Sequence, residues 1–154
     1  MSLVIKKINK KFYQFLNKNL NGKTNNINFY LDNVLLPFGL EEYKGKYLIN
    51  FELTENNNKE FLNYINNLEE NILKNLFKKR TLKKLIKENK VCKGNIKKNK
   101  NKIITKLSIN NQDMSIFQLK NKKNILAKLK IEISGLWVYE NNYGIFININ
   151  EIII

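Results

Sequence analysis

The chain of 154 residues contains no histidine. That removes the usual general base, the usual proton shuttle and the commonest metal ligand. Cys92 is the single cysteine, which excludes an intramolecular disulfide and a thiolate metal cluster. Asp32 and Asp113 are the only aspartates, and they lie too far apart in sequence to suggest a paired-carboxylate metal site. Glu41-Glu42 and Glu69-Glu70 are adjacent pairs, whose side chains diverge on any regular element. No glycine-rich phosphate loop exists, because Lys44-Gly45-Lys46 lacks the spacing. Lys or Tyr nucleophiles leave no signature of their own. Catalysis is therefore not expected, and neither is a cofactor or a metal. No window approaches the apolar length of a membrane span, and Met1 to Lys11 has no apolar run before the lysines begin. The expectation is an intracellular, soluble protein with no membrane partner. Internal repeats, heptads and Gly/Ser/Pro-rich linkers are also missing, so residues 1–154 read as one domain.

Acid is scarce too. There are 13 Asp and Glu against 28 Lys and Arg, for a net charge of +15. Such a chain seeks polyanions, and nucleic acid is the first of these. Lys, Asn, Ile, Tyr and Phe, which saturate the sequence, are the residues of AT-rich codons. The lysine excess is a weaker functional signal here than in a balanced composition, although the charge is physical whatever its origin. The hydrophobic fraction of 43% is enough for a real core.

Along the chain, Leu3 to Leu20 reads equally as a helix with Phe12, Leu16 and Leu20 on one face or as a strand and loop. With Lys6, Lys7, Lys10 and Lys11 it makes a basic N-terminal segment (1–26), a solvated face beside a core of 27–154. Ile27 to Leu36 is strand-like and should end at Pro37, the only proline. Tyr43 to Tyr47 looks like a turn. In Tyr47 to Leu53 the alternation of Tyr47, Ile49, Phe51 and Leu53 with polar neighbours marks a half-buried strand. Then the period changes. From Asn56 to Lys79, Phe61, Leu62, Ile65, Leu68, Ile72, Leu73, Leu76 and Phe77 recur at helical spacing. Thr54 or an Asn just before the helix is the expected cap, with Glu55 and Glu60 at the positive end of its dipole. Thr81 to Glu88 extends this helix or forms a second one. Val91 to Ile96 reads as a strand or an extended connection. Ile103 to Ile109 alternates, Asn110 to Asp113 is a turn, Met114 to Leu119 a short strand, and Lys128 to Ile133 alternates again. The reading is α+β, mainly β: an OB-fold-like small antiparallel barrel with an inserted helix at about residues 56–79.

The C-terminal stretch carries the functional signal. Leu136 and Val138 alternate with Trp137 and Tyr139, and Ile145, Ile147 and Ile149 alternate with Phe146, Asn148 and Asn150. Side chains on strands point to opposite faces at period two. One face is thus aliphatic and the other carries the only Trp, two more aromatics and amides. Glu140-Asn141-Asn142 supplies turn chemistry, and Gly144 can take a backbone angle that other residues avoid. Flat rings beside positive charge make a stacking platform for bases. Trp137, Tyr139 and Phe146 are the candidate stackers, with Tyr30, Tyr43 and Tyr47 behind them. Phe51, Phe61 and Phe77 are assigned to the core. Between Lys78 and Lys102 basic residues crowd with Glu88 alone opposing them. Lys78, Lys79, Arg80, Lys83, Lys84, Lys87, Lys97 and Lys98 are the candidate phosphate contacts.

Three stretches together resemble a known family: Leu36-Pro37-Phe38-Gly39-Leu40-Glu41-Glu42-Tyr43 with Lys46-Tyr47-Leu48-Ile49-Asn50; the helix with Phe61, Leu62, Leu68 and Ile72; and Gly135-Leu136-Trp137-Val138 with Tyr143-Gly144-Ile145. Their order is similar to that in the single-stranded DNA-binding proteins of nucleocytoplasmic large DNA viruses, themselves similar to those of short-tailed phages. The resemblance spans about residue 30 onward. It implies an OB-fold with a helix between strands and a role in viral DNA replication, recombination or repair, in a viral factory of the host cytoplasm or in the nucleus. The phage proteins end in an acidic tail that contacts replication partners, where this chain has Glu151-Ile152-Ile153-Ile154, and the lysine-rich N-terminal segment has no counterpart. The expected partner is single-stranded nucleic acid, DNA favoured. The rival expectation is a basic virion or genome-packaging component. The isoleucines at 152–154 need cover, either from the domain's own sheet or from a second copy in a homo-oligomer.

Overall fold

A computed structural model describes residues 2–53 and 58–154. Strands carry most of it, at 57% of the chain, which makes the fold mainly β with one helical segment. The first two, β1 (Ser2–Asn9) and β2 (Phe12–Lys18), form a hairpin, and β3 (Thr24–Asn25) pairs with the end of β2. The strand alternative thus holds for the N-terminal segment. Its apolar residues follow period two: Phe15 is buried and Tyr13 packs against the core. This hairpin joins the main sheet, because Phe12, Tyr13 and Gln14 pair with Trp137, Leu136 and Gly135. A side chain at 135 would collide with the Tyr13 carbonyl and the Phe12 ring, so a glycine there lets β2 dock.

Next come β4 (Ile27–Leu36), β5 (Leu40–Tyr43) and β6 (Lys46–Glu52). The helical segment runs from α1 (Lys59–Asn67) through a π-helical turn at Leu68–Leu73 to α2 (Lys74–Leu76). The expected cap at Thr54 and the acid at Glu55 fall outside the described residues. Asn58, at the start of α1, makes no side-chain cap. Its buried amide instead donates to the Asp32 carbonyl at 3.0 Å and accepts from the Asp32 N–H at 3.1 Å, tying the helix to β4 beside left-handed Asn33. Phe61, Ile65, Leu68 and Leu73 are buried, so the three-four spacing is the packing face.

The remaining strands are β7 (Thr81–Leu82), β8 (Val91–Ile96), β9 (Lys98–Asn99), β10 (Lys102–Ile103), β11 (Lys106–Ile109), β12 (Gln112–Met114), β13 (Ile125–Tyr139) and β14 (Asn142–Ile153). Two expectations need correction. Thr81 and Leu82 do not continue the helix; they pair in parallel with Asn142 and Tyr143, because the Asn141 carbonyl accepts the Thr81 N–H and the Tyr143 carbonyl accepts the Lys83 N–H. Ile116–Leu119 is a 3-10 turn, not a strand, and the Ser115 hydroxyl opens it by accepting the Phe117 N–H. The turn at Asn110 and Asn111 is as read, with both residues left-handed, as asparagine tolerates.

Five strands close a ring in the order β4, β6, β8, β14, β13 and back to β4. Numbered along the chain as first to fifth, they run first, second, third, fifth, fourth. The ring is compatible with an OB-like fold but is not a regular barrel. β4 touches β6 through one pair, Leu35 with Glu52. Pairing is antiparallel except along β14, which runs parallel to β7, β8 and β11. Inside lie Leu31, Val34, Ile49, Phe51, Leu129, Ile131, Ile133, Leu136, Ile145, Ile147 and Ile149, all nearly inaccessible.

Of the isoleucines at 152–154, Ile152 is covered by the chain's own sheet, and Ile153 and Ile154 are half-buried. Ile152 is wholly buried opposite Leu107, and the Ile154 carbonyl accepts the Asn110 N–H at 3.1 Å. Truncating a buried Ile to Ala costs about 2–5 kcal/mol. Ile152→Ala should therefore lower the urea midpoint by that stability while leaving the mass in light scattering unchanged. An unshifted midpoint would show that β11 does not hold this end.

Candidate nucleic-acid interface

The outer face of the ring carries a groove of about 610 Å³. Its floor is built by period two. On β5, Leu40 enters the core, so Glu41 and Tyr43 face outward. On β6, Ile49 and Phe51 are inside, and Leu48 and Asn50 line the groove. On β8, Cys92, Gly94 and Ile96 are inside, and Val91, Lys93 and Asn95 line it. The register sets Leu48 beside Asn95 and Asn50 beside Lys93. Phe146 of β14 and Trp137 of β13 complete the floor. The segment after β7 forms a wall with Lys83, Lys84, Leu85 and Lys87.

The hairpin faces divide as the alternation requires. Leu136 and Val138 are 0% and 5% exposed, Trp137 is half-buried, and Tyr139 is 60% exposed. Gly144 serves a different purpose from the one expected. It has no left-handed backbone; Glu140 does, at φ 54°. A side chain at 144 would stand 2.8 Å from both the Trp137 ring and the Lys83 carbonyl. Its absence lets the Trp137 ring lie across β14 and the wall close in.

The wall is anchored from behind. The π-helical turn brings Glu69 inward, and its carboxylate accepts the Leu85 N–H at 2.9 Å. Burial raises the Glu69 pKa, against smaller downward pulls from that hydrogen bond and from Lys84. A raised folded-state pKa means that the fold binds this proton more tightly than the unfolded chain does. That contribution is complete below the unfolded value and is lost as pH rises through the folded one. The neighbouring Glu70 shifts the opposite way, held down by Lys74. In a comparison with Glu69→Gln, that second effect is common to both proteins and cancels. The stability of the wild type relative to Glu69→Gln should therefore grow as pH falls through the window just above the ordinary glutamate value. Urea titrations of both proteins across that window would refute this if the difference stayed flat.

The expected site residues divide into groups. Trp137, Phe146, Tyr43, Lys83, Lys84 and Lys87 meet in this groove. Lys84 also reaches Glu70 at 3.5 Å. Tyr139 shares Trp137's face at the exposed tip of the hairpin. Tyr30 does not join them: it lies on β4 with Lys130 5.4 Å from its ring, in a hollow with Asn28 and Lys59. Tyr47 packs edge-on against Phe117 at 5.3 Å, with Lys98 4.5 Å from its ring centre. Lys97 is turned onto buried Glu132 at 3.1 Å, a carboxylate that also accepts from Asn26 at 2.7 Å. Lys78 and Arg80 surround a separate hollow with Phe77 and Tyr143, and Lys79 is exposed beside them. Phe51 and Phe61 are buried as expected, and Phe77 packs against Tyr13 and Tyr143.

Two contributors were missed. Lys93 could have been found, since it alternates with Cys92 and Gly94. Phe12 could not: its ring lies 4.9 Å from that of Phe146 only because β2 docks on β13. Past this pair a second hollow of about 270 Å³ continues, lined by Gln14, Asn26, Lys97, Ser134 and Asn148. Cys92 offers no chemistry, because burial pushes its thiol up to about 12. Among the described residues, no helix is long and apolar enough to cross a membrane. No protein-family model and no curated protein matches this chain.

Proposed function

We propose that the chain is a non-catalytic protein that binds single-stranded DNA with broad sequence tolerance, in the manner of the viral and phage family it resembles. The observation that carries this reading is the groove, where three aromatic side chains and four lysines line one face. Stacking rings beside a positive track is what single strands require. Its place on the ring adds support. OB-folds bind oligonucleotides on the face of their second and third strands and on the loops between first and second and between fourth and fifth. In this ring the second and third strands are β6 and β8, Tyr43 belongs to the connection between first and second, and Trp137 approaches the turn between fourth and fifth. The helical segment lies between the second and third strands along the chain, and none of its described residues lines the groove. A duplex cannot offer its bases to such rings without unstacking. Fluorescence anisotropy should give much tighter binding of a labelled single strand than of the matched duplex at equal salt. Equal affinities would favour the rival reading of a basic packaging component, in which charge alone acts.

A further inference from the structure

Within the reading of a single-strand groove, one lining residue has the wrong sign for phosphate. Glu41 is the only acid among the described residues that line it. Among the described residues, no lysine closes on Glu41 as an ion pair, although Lys83, Lys84, Lys87 and Lys93 line the same groove. What holds Glu41 is an amide: Asn50 Nδ2 donates to its Oε1 at 2.7 Å. That bond also fixes the amide. With Nδ2 committed to Glu41, Asn50 Oδ1 is left as an acceptor, and Glu41 Oε2 is a second acceptor beside it. The second Nδ2 hydrogen and the Lys93 ammonium beside Asn50 are donors at this point, so among the described lining residues Glu41 Oε2 is the one anionic acceptor.

We infer that Glu41, set by Asn50, makes the groove discriminate among bases, favouring those with an exocyclic amino group over thymine or uracil. Cytosine offers its N4 amino group, adenine its N6 amino group, and guanine the adjacent N1–H and N2 amino donors. A carboxylate accepting from cytosine N4 is an established pairing chemistry. Thymine and uracil present two carbonyls flanking one N–H, so a base edge that meets the Glu41 carboxylate sets a carbonyl oxygen against it. A phosphate placed at this point would be repelled by the carboxylate, which directs the backbone toward the lysine wall and the base edges toward the floor. Sequence tolerance would thus be incomplete, with the bias set at one position of the strand.

The test uses labelled 12-mers of oligo-dC and oligo-dT, titrated by anisotropy at equal salt. The wild type should bind oligo-dC about 3–10-fold more tightly, the size of one net hydrogen bond. Glu41→Ala should bring that ratio to about one while binding oligo-dT at least as tightly as the wild type, because a repelling charge has gone. Glu41→Gln, which keeps an acceptor without the charge, should restore part of the preference. A misfolded variant would lose both ligands together, which separates loss of fold from loss of discrimination. Equal binding of the two oligomers by the wild type would overturn the inference and leave the groove reading intact. So would a preference that survives in Glu41→Ala. If neither oligomer binds, the groove reading falls and this inference with it.

Discussion

Replacing Trp137 with alanine should weaken single-strand binding about tenfold or more and shift the melting temperature little. A stacked base is worth about 1–3 kcal/mol by alanine substitution, which spans roughly 5- to 150-fold in affinity. A fully buried Trp cut to Ala would instead cost about 3–5 kcal/mol of fold stability. The hairpin decides between these. Its core face is supplied by Leu136 and Val138, while Trp137 is half-buried and lines the groove. The truncation leaves the aliphatic layer in place and removes part of the floor. Because the chain has a single Trp, its emission reports on this site alone. A bound strand should quench it. An early-melting variant, together with wild-type emission indifferent to added DNA, would make Trp137 a packing residue.

The other large effect is electrostatic. Neutralising Lys83, Lys84, Lys87 and Lys93 together to Gln should flatten the dependence of affinity on salt. For single strands log K falls by about 0.7 per phosphate contact for each decade of salt, so four lost contacts would reduce the slope by roughly 3. Lys97 and Lys98 provide the contrast. One is spent on Glu132 and the other sits over the Tyr47 ring. Changing Lys98 to Gln should barely alter the slope. Changing Lys97 should cost stability, since it leaves a carboxylate that is 5% exposed without its cation. A slope that responds to the second pair and ignores the first four would move the phosphate track away from the groove.

The elements that could be read from the sequence are those whose signal is local. Alternation at period two located β6, β13 and β14 and assigned the faces of Leu136, Trp137 and Val138. Three-four spacing located the helix, and paired asparagines located the turn at Asn110. What could not be read depends on partners distant in sequence. Nothing near Phe12 announces that β2 will lie on β13, so the N-terminal hairpin looked like a solvated appendage. Thr81 and Leu82 carry no strand pattern of their own; the carbonyls of Asn141 and Tyr143, at the start of β14, recruit this stretch through the Thr81 and Lys83 N–H groups. Lys97 and Lys98 read as free cations because Glu132 and Tyr47, which engage them, are far away along the chain. Tyr30, Tyr43 and Tyr47 look alike in sequence, yet one lies on β4 beside Lys130, one in the groove and one under Phe117. Strand order divides them, and strand order is a long-range property.

The ring has a consequence for how the protein is made. Its fourth and fifth strands, β13 and β14, follow all the others, and β13 pairs with β4 residues about a hundred positions earlier, a separation that slows folding. A ribosome delivers β4, β6 and β8 well before the two strands that bridge them. Until then β4 and β8 expose edges ready to pair with any other nascent chain. Closure of the ring therefore waits until β14 has been made. A chain released before β14 emerges would lack the strand that joins β8 to β13, and it should be cleared by proteases or aggregate rather than persist as a smaller domain.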